Sequence, residues 1–265
     1  MASALVLAVV GILLGPFLGI AVDRLVEREK IEPQHRCVKC QTDLGLASLI
    51  PVHSWLVRCP ADNAHANWRY PVTDLATSVL FALAGWRFGL SWQLWPYVAL
   101  FAVFVVMSLI DWEQHLLIDL LTLPTLGASL FAVLVLSGMN NFNEGIWPAI
   151  VGSVVYSVVF FVAHLANPAG MGLGDVKLAP TLGLALGWLT VDVLEGVRVV
   201  FYAMMIGLLL GGVVGLVMRS RAKRRPAEEL AELPEDWIPG EVPLGPFLII
   251  GTVIMIAVTS PASLA

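Results

Sequence analysis

Long apolar blocks separated by polar connections are the feature that most constrains this 265-residue chain. A helix needs roughly 20 mostly apolar residues to cross a bilayer core that is about 30 Å thick. Charged residues make up only 13% of the chain, about half of the roughly 25% found in soluble domains. We therefore expect an all-α polytopic membrane protein of about eight transmembrane helices. The blocks are 2–22, 73–90, 93–110, 116–137, 146–166, 178–191, 197–218 and 244–262.

The positions of Lys and Arg predict the orientation, because cytoplasmic loops are enriched in these residues. With eight helices, thirteen of the fifteen cations fall on one side, and only Arg87 and Arg198 fall on the other. Seven helices would place the two basic loops on opposite sides. We therefore expect both termini outside and two long cytoplasmic loops, 23–72 and 219–243.

The domain organisation follows from this arrangement. Residues 1–22 form a first transmembrane helix, and residues 23–72 form a cytoplasmic loop that contains cysteines. Residues 73–265 form the main transmembrane domain, which includes the cytoplasmic loop 219–243. The first block lacks a basic n-region and exceeds a typical signal-peptide core, so we interpret it as a retained helix.

Acidic residues beside apolar blocks are costly in a membrane and therefore indicate function. Asp111 and Asp119 lie between two blocks at the predicted cytoplasmic boundary. They are eight residues apart, slightly more than two helical turns, so they share a face if the helix is continuous. Asp119, Glu113 and Asp74 are explained equally well as interfacial residues that cap helices or face headgroups.

A second acidic segment, Gly170-Met-Gly172-Leu-Gly174-Asp175-Val-Lys177-Leu, is a glycine-rich turn followed by an apolar helix. Its glycines permit positive φ values and leave room for close approach of another part of the chain. Asp175 would lie near a helix N-terminus, where the macrodipole favours the ionised carboxylate. With a second carboxylate nearby, one acid can serve as general base and the other as general acid.

Three runs of residues together resemble the type IV prepilin peptidases, which are polytopic aspartyl proteases of the GxGD class. Their order and spacing agree with that family along nearly the whole chain. The runs are Asp111 followed after seven residues by Asp119-Leu-Leu-Thr-Leu-Pro124, then Gly172-Leu-Gly174-Asp175-Val-Lys177-Leu, then Pro243-Leu-Gly245-Pro246-Phe247-Leu248.

This resemblance implies that Asp111 and Asp175 are the catalytic pair, with Asp119 and Lys177 as supporting residues beside the motif glycines Gly172 and Gly174. It also implies removal of a basic leader from prepilins or pseudopilins at the cytoplasmic face of a bacterial inner membrane. Such enzymes serve type IV pilus assembly and protein secretion. Many family members then N-methylate the new N-terminus with S-adenosylmethionine.

The three cysteines, Cys37, Cys40 and Cys59, all lie in the loop 23–72. Disulfides are disfavoured in the cytoplasm, whereas a C-x2-C pair with a later cysteine suggests a structural zinc site that needs four ligands. The related family commonly has a second C-x2-C pair, and here Asp62 occupies the position of its last cysteine. The fourth ligand is therefore Asp62 or His65, unless the loop is free of metal.

Two other functions compete with a peptidase. Paired membrane acids also serve ion-coupled transporters, but such proteins often contain internal repeats, which this chain lacks. A non-catalytic assembly factor of a secretion system is the second alternative. The basic residues form no stripe with interleaved aromatic residues, so we expect membrane lipid and prepilins as partners, and no nucleic acid.

Overall fold

The computed structural model describes residues 1–27, 51, 68–168, 171–222 and 242–259. Within these ranges the chain is helical and contains no strand, which confirms the predicted all-α class. A 3-10 turn, Asn143–Gly145, precedes the fifth helix. The α-helices are α1 (Ala2–Glu27), α2 (Arg69–Phe88), α3 (Leu94–Gln114), α4 (Asp119–Met139), α5 (Ile146–Ala166), α6 (Leu173–Gly187), α7 (Val193–Ala222) and α8 (Gly245–Val258).

Each predicted apolar block corresponds to one of these helices. Helices α1, α3, α4, α5 and α7 are long and apolar enough to cross a membrane, and α8 is a shorter apolar helix. Helix α7 continues four residues beyond the predicted block, so Arg219 and Arg221 lie on its last turn. The architecture is that of a polytopic membrane protein.

Small residues allow α1 and α2 to pack with their backbones in contact. A Cβ atom added to Gly11 would lie 2.7 Å from the Cα atom of Ser78. The Ser78 hydroxyl donates a hydrogen bond to the Ala8 carbonyl at 3.0 Å. Close approach and interhelical hydrogen bonds are what hold helices together where lipid is as apolar as the side chains.

The end of the bundle farthest from the acidic motifs is held by aromatic packing. Tyr97 of α3 stacks on Phe88 of α2 and on Trp188, which follows α6. The Tyr97 hydroxyl donates a hydrogen bond to the Ala185 carbonyl at 2.5 Å. Together with the contact of Gly187 against the backbone of Pro148, this packing fixes α6 against its neighbours.

The connection between α3 and α4 corrects one conditional expectation. Helix α3 ends at Gln114, and His115 adopts a left-handed conformation with a φ of 52°. A non-helical segment then continues to Ile118, and α4 begins at Asp119. Because the helix is interrupted, Asp111 and Asp119 do not share the face of one continuous helix.

Candidate active site

Asp111 lies in the last turn of α3, and only 5% of it is exposed. Within the described residues, its Oδ2 atom is buried and has no hydrogen-bond partner. The first residue of α8 packs directly against this atom, because a Cβ added to Gly245 would lie 2.5 Å from it. Any larger residue at position 245 would therefore force either the carboxylate or α8 to move.

Asp175 lies in the first turn of α6, whose N-cap is Gly172, so the predicted position near a helix N-terminus is confirmed. It is 8% exposed. The expected use of positive φ values is not seen at Gly172, where φ is −66°. Close approach is what requires glycine here, since a Cβ added to Gly174 would lie 2.8 Å from the Cβ atom of Leu117.

Leu117 connects the two acidic motifs. Its Cδ1 atom would also lie 3.3 Å from a Cβ added to Gly245, so one side chain contacts both the α6 and the α8 N-termini. Gly174 directly precedes Asp175 and Gly245 packs on Asp111, so both acids lie beside Leu117. Among the described residues, no Lys or Arg forms an ion pair with either acid. The structure thus gathers both acids at one end of the bundle.

Lys177 and Asp119 form an ion pair beside this site. The Lys177 ammonium group donates to both carboxylate oxygens of Asp119, at 2.6 and 2.7 Å. The pair joins the first turns of α6 and α4, and its side chains are 38% and 56% exposed. The two residues that the resemblance names as supporting therefore pair with each other.

A second ionic cluster, at the same end of the bundle, was not predicted. Arg69 at the start of α2 bonds to Asp23 of α1 and to Glu113 of α3, and Tyr70 donates to Asp23. Glu113 therefore links α3 to α2. The sequence had equally allowed an interfacial position facing lipid headgroups. The only signal available in the sequence was a cation and two acids at three helix ends on the same predicted side.

The predicted metal ligands Cys37, Cys40, Cys59 and Asp62, with the alternative His65, lie outside the described residues. Zinc binding therefore stays a prediction. Within the part of the chain that the structure describes, no group of three or more His, Cys, Asp or Glu side chains is arranged to hold a metal ion.

A polytopic helical bundle with two buried carboxyl groups at one end belongs to the class of membrane proteins with a paired-acid site. Comparison with known families identifies the chain further. Residues 98–216 match the model of the type IV leader peptidase family, and residues 9–88 match the bacterial peptidase A24 N-terminal domain. The chain belongs to the type IV leader peptidase family.

Curated relatives support this membership over most of the chain. A protein of Bacillus subtilis (strain 168) is 31% identical over 83% of this chain and 86% of its own length. Proteins of Stutzerimonas stutzeri and Pseudomonas aeruginosa are 29% and 28% identical, each over 94% of this chain and over 89% and 88% of their own lengths. All three are named prepilin leader peptidase/N-methyltransferase. No solved structure matches the chain.

These findings make the chain an enzyme of the peptidase class. The resemblance noted in the sequence is confirmed by the family match and by the relatives. Its two buried aspartates are consistent with an aspartic peptidase. Family membership argues against the ion-coupled transporter and the non-catalytic assembly factor.

Proposed function

We propose that this enzyme is an aspartic endopeptidase that removes the basic leader from type IV prepilins or pseudopilins at the cytoplasmic face of a bacterial inner membrane. The observation that carries the proposal is the burial of Asp111 and Asp175 at one end of the bundle, without an ion-pairing Lys or Arg among the described residues. The names of the relatives support the choice of substrate.

The chemistry needs the two carboxyl groups in different protonation states. Two close carboxyl groups resist ionising together, so one retains a proton. The ionised group takes a proton from water, and the water oxygen forms a bond to the carbonyl carbon of the scissile peptide. The protonated group gives its proton to the carbonyl oxygen. Collapse of this intermediate breaks the C–N bond. The leaving amine takes the proton that the first carboxyl group gained from water, and a hydroxyl proton of the intermediate returns to the second carboxylate.

The position of the site suits such a substrate. A prepilin has a charged leader followed by an apolar helix, so its scissile bond lies at the membrane boundary. The acids occupy the C-terminal turn of α3 and the N-terminal turn of α6, at the end of the bundle that also carries Arg69 and Lys177. The distribution of cations predicts that this end of the bundle is cytoplasmic. It also predicts that both termini of the chain lie outside.

The proposal includes N-methylation of the new N-terminus, with S-adenosylmethionine as methyl donor. Support comes from the names of the relatives, which include N-methyltransferase. Leader removal must come first, because only cleavage creates the free amino group that accepts the methyl group.

The test is cleavage of a prepilin with a basic leader in membranes that contain this enzyme, followed by mass spectrometry. Wild type should remove the leader, and Asp111→Asn and Asp175→Asn should each leave the prepilin intact while remaining folded. Glu144→Gln is the matched control, because Glu144 is an exposed acid in the 3-10 turn at the opposite end of the bundle. Near-normal cleavage by either Asn variant would exclude that acid from catalysis.

The same spectra report the methylation step. A mass increase of one methyl group on the new N-terminus, dependent on added S-adenosylmethionine, is the expected result. A cleaved product that stays unmethylated when the donor is in excess would restrict the enzyme to proteolysis.

A further inference from the structure

An apolar groove of about 590 Å³ lies between α2, α3 and α8, and we call it the α2/α3/α8 groove. Its cytoplasmic end, as proposed above, is bordered by Trp68, Trp112 and Pro246, and its other end by Val79 and Ile254. The helical rise from Trp68 to Val79 is about 16 Å, and the rise from Pro246 to Ile254 is about 12 Å. The groove thus accompanies roughly half of a bilayer core that is about 30 Å thick.

The cytoplasmic end of the groove adjoins the proposed catalytic site, because its lining residues Trp112 and Pro246 directly follow Asp111 and Gly245 in the sequence. Phe104 and Ser108 line it from α3, and Asp111 follows them at spacings of seven and three residues on the same helical face. On α8 the lining residue Ile249 lies one turn after Gly245, the glycine that packs against the Asp111 carboxylate. Both walls of the groove therefore lead to Asp111.

A second apolar groove, of about 390 Å³, lies between α3, α4 and α6. We call it the α3/α4/α6 groove. On α3 its lining stops at Val103, eight residues before Asp111, and on α6 it begins at Leu184, nine residues after Asp175. Each gap corresponds to about 12 Å or more of helix. This groove therefore reaches the cytoplasmic end only along α4, at Leu120 beside Asp119, and not along the two helices that carry Asp111 and Asp175.

We infer that the α2/α3/α8 groove binds the apolar helix that follows the scissile bond of the prepilin. This inference rests on the function proposed above and names the surface that positions its substrate. A substrate whose scissile bond lies at Asp111 must continue into the membrane from that point. The groove begins at the neighbouring residues Trp112 and Pro246, and its walls offer exposed apolar side chains, with Leu75 51%, Val79 64% and Ile250 43% exposed. Contact with them orients the bond toward the acids and leaves the leader on the aqueous side.

Photocrosslinking tests this placement directly. Benzoylphenylalanine is introduced at Val79 in the Asp175→Asn background, which is expected to retain uncleaved prepilin. The matched control is Val213 of α7, which is 60% exposed and lines neither groove. Ala128 supplies a probe in the α3/α4/α6 groove.

We expect crosslinks to the prepilin from the Val79 probe, with yields lower by roughly an order of magnitude or more from the Val213 and Ala128 probes. Crosslinks from Val79 to phospholipid alone, or prepilin crosslinks mainly from Ala128, would overturn the assignment. An assay of wild-type enzyme in the same membranes distinguishes failure of the groove assignment from failure of the proposed function. Cleavage without a Val79 crosslink rejects only the groove, whereas absence of cleavage by wild type rejects the proposed function and the groove with it.

A kinetic measurement gives an independent readout. Val79→Trp fills part of the groove, and Val213→Trp makes the same change on a lipid-facing surface. We expect Val79→Trp to raise KM for the full prepilin about tenfold with kcat little changed. Cleavage of a short water-soluble peptide that ends just after the scissile bond should be unaffected. Equal losses on both substrates would contradict a role in helix binding, because they would show damage to the site itself.

Discussion

Two pairs of charged residues lie at the same end of this bundle, and their surroundings differ sharply. Asp111 and Asp175 are 5% and 8% exposed and have no ion-pairing Lys or Arg among the described residues. Asp119 and Lys177 have side chains that are 56% and 38% exposed, and they neutralise each other through two hydrogen bonds. The first pair has the burial that proton-transfer chemistry requires, whereas the second has the complementarity of a structural link.

The difference arises from backbone packing and not from the spacing of the acids along the chain. Asp111 is enclosed because Gly245 allows α8 to approach its carboxylate. Asp119 begins a new helix after the left-handed residue His115, so it points away from that enclosure toward Lys177. The four-residue connection 115–118 thus places two aspartates of one motif in different surroundings.

The largest predicted effect is the difference in cleavage activity between variants of the Asp111/Asp175 pair and variants of the Asp119/Lys177 pair. Asn in place of Asp111 or Asp175 removes the group that transfers a proton, and we expect leader cleavage to fall by about 10²- to 10⁴-fold. Asp119→Asn keeps the size of a side chain that we place outside proton transfer, so its activity should remain within about tenfold of wild type. Initial rates on one prepilin, normalised to folded enzyme, measure all three. A loss for Asp119→Asn as deep as that for Asp111→Asn would erase the distinction.

The next effect tests whether enclosure by α8 matters. Gly245→Ala places a methyl group 2.5 Å from the Asp111 Oδ2 atom, so either α8 or the carboxylate must move. A misplacement of about 1 Å can cost about 10²-fold in rate, and we expect a loss of that order with the protein still inserted in the membrane.

Gly212→Ala is the control for this substitution, since a Cβ atom there meets nothing within 4 Å. Its cleavage rate should equal that of wild type. If Gly245→Ala also cleaved at the wild-type rate, the close packing of α8 on Asp111 would have no catalytic consequence.

How much of this site the sequence could predict depends on the kind of contact. The helices followed from apolar block length, and the placement of Asp175 in a first turn followed from the glycine-rich segment before an apolar run. The contact of Leu117 with the N-termini of α6 and α8 could not be predicted, because it depends on how distant helices pack. The Lys177–Asp119 pair was missed for a related reason, since Lys177 is much nearer in sequence to Asp175 than to Asp119.

The smallest effect should come from the Lys177–Asp119 pair itself. Exposed ion pairs contribute about 0.2–1 kcal/mol and are screened by salt. A double-mutant cycle with Lys177→Met and Asp119→Asn, followed by thermal unfolding in detergent, should give a coupling free energy in that range. This coupling free energy should decrease when the salt concentration is raised from roughly 50 mM to roughly 1 M, because salt screens the pair.

The cycle also decides what the pair does for catalysis. If it only links α4 to α6, each single variant and the double variant should lower cleavage to the same modest extent, because the link is lost once in every case. The exchanged variant Asp119→Lys with Lys177→Asp should then recover part of the rate. A Lys177→Met variant much less active than Asp119→Asn, with no recovery on exchange, would mean that the ammonium group acts on Asp175 directly. In that case the two pairs would form one electrostatic unit.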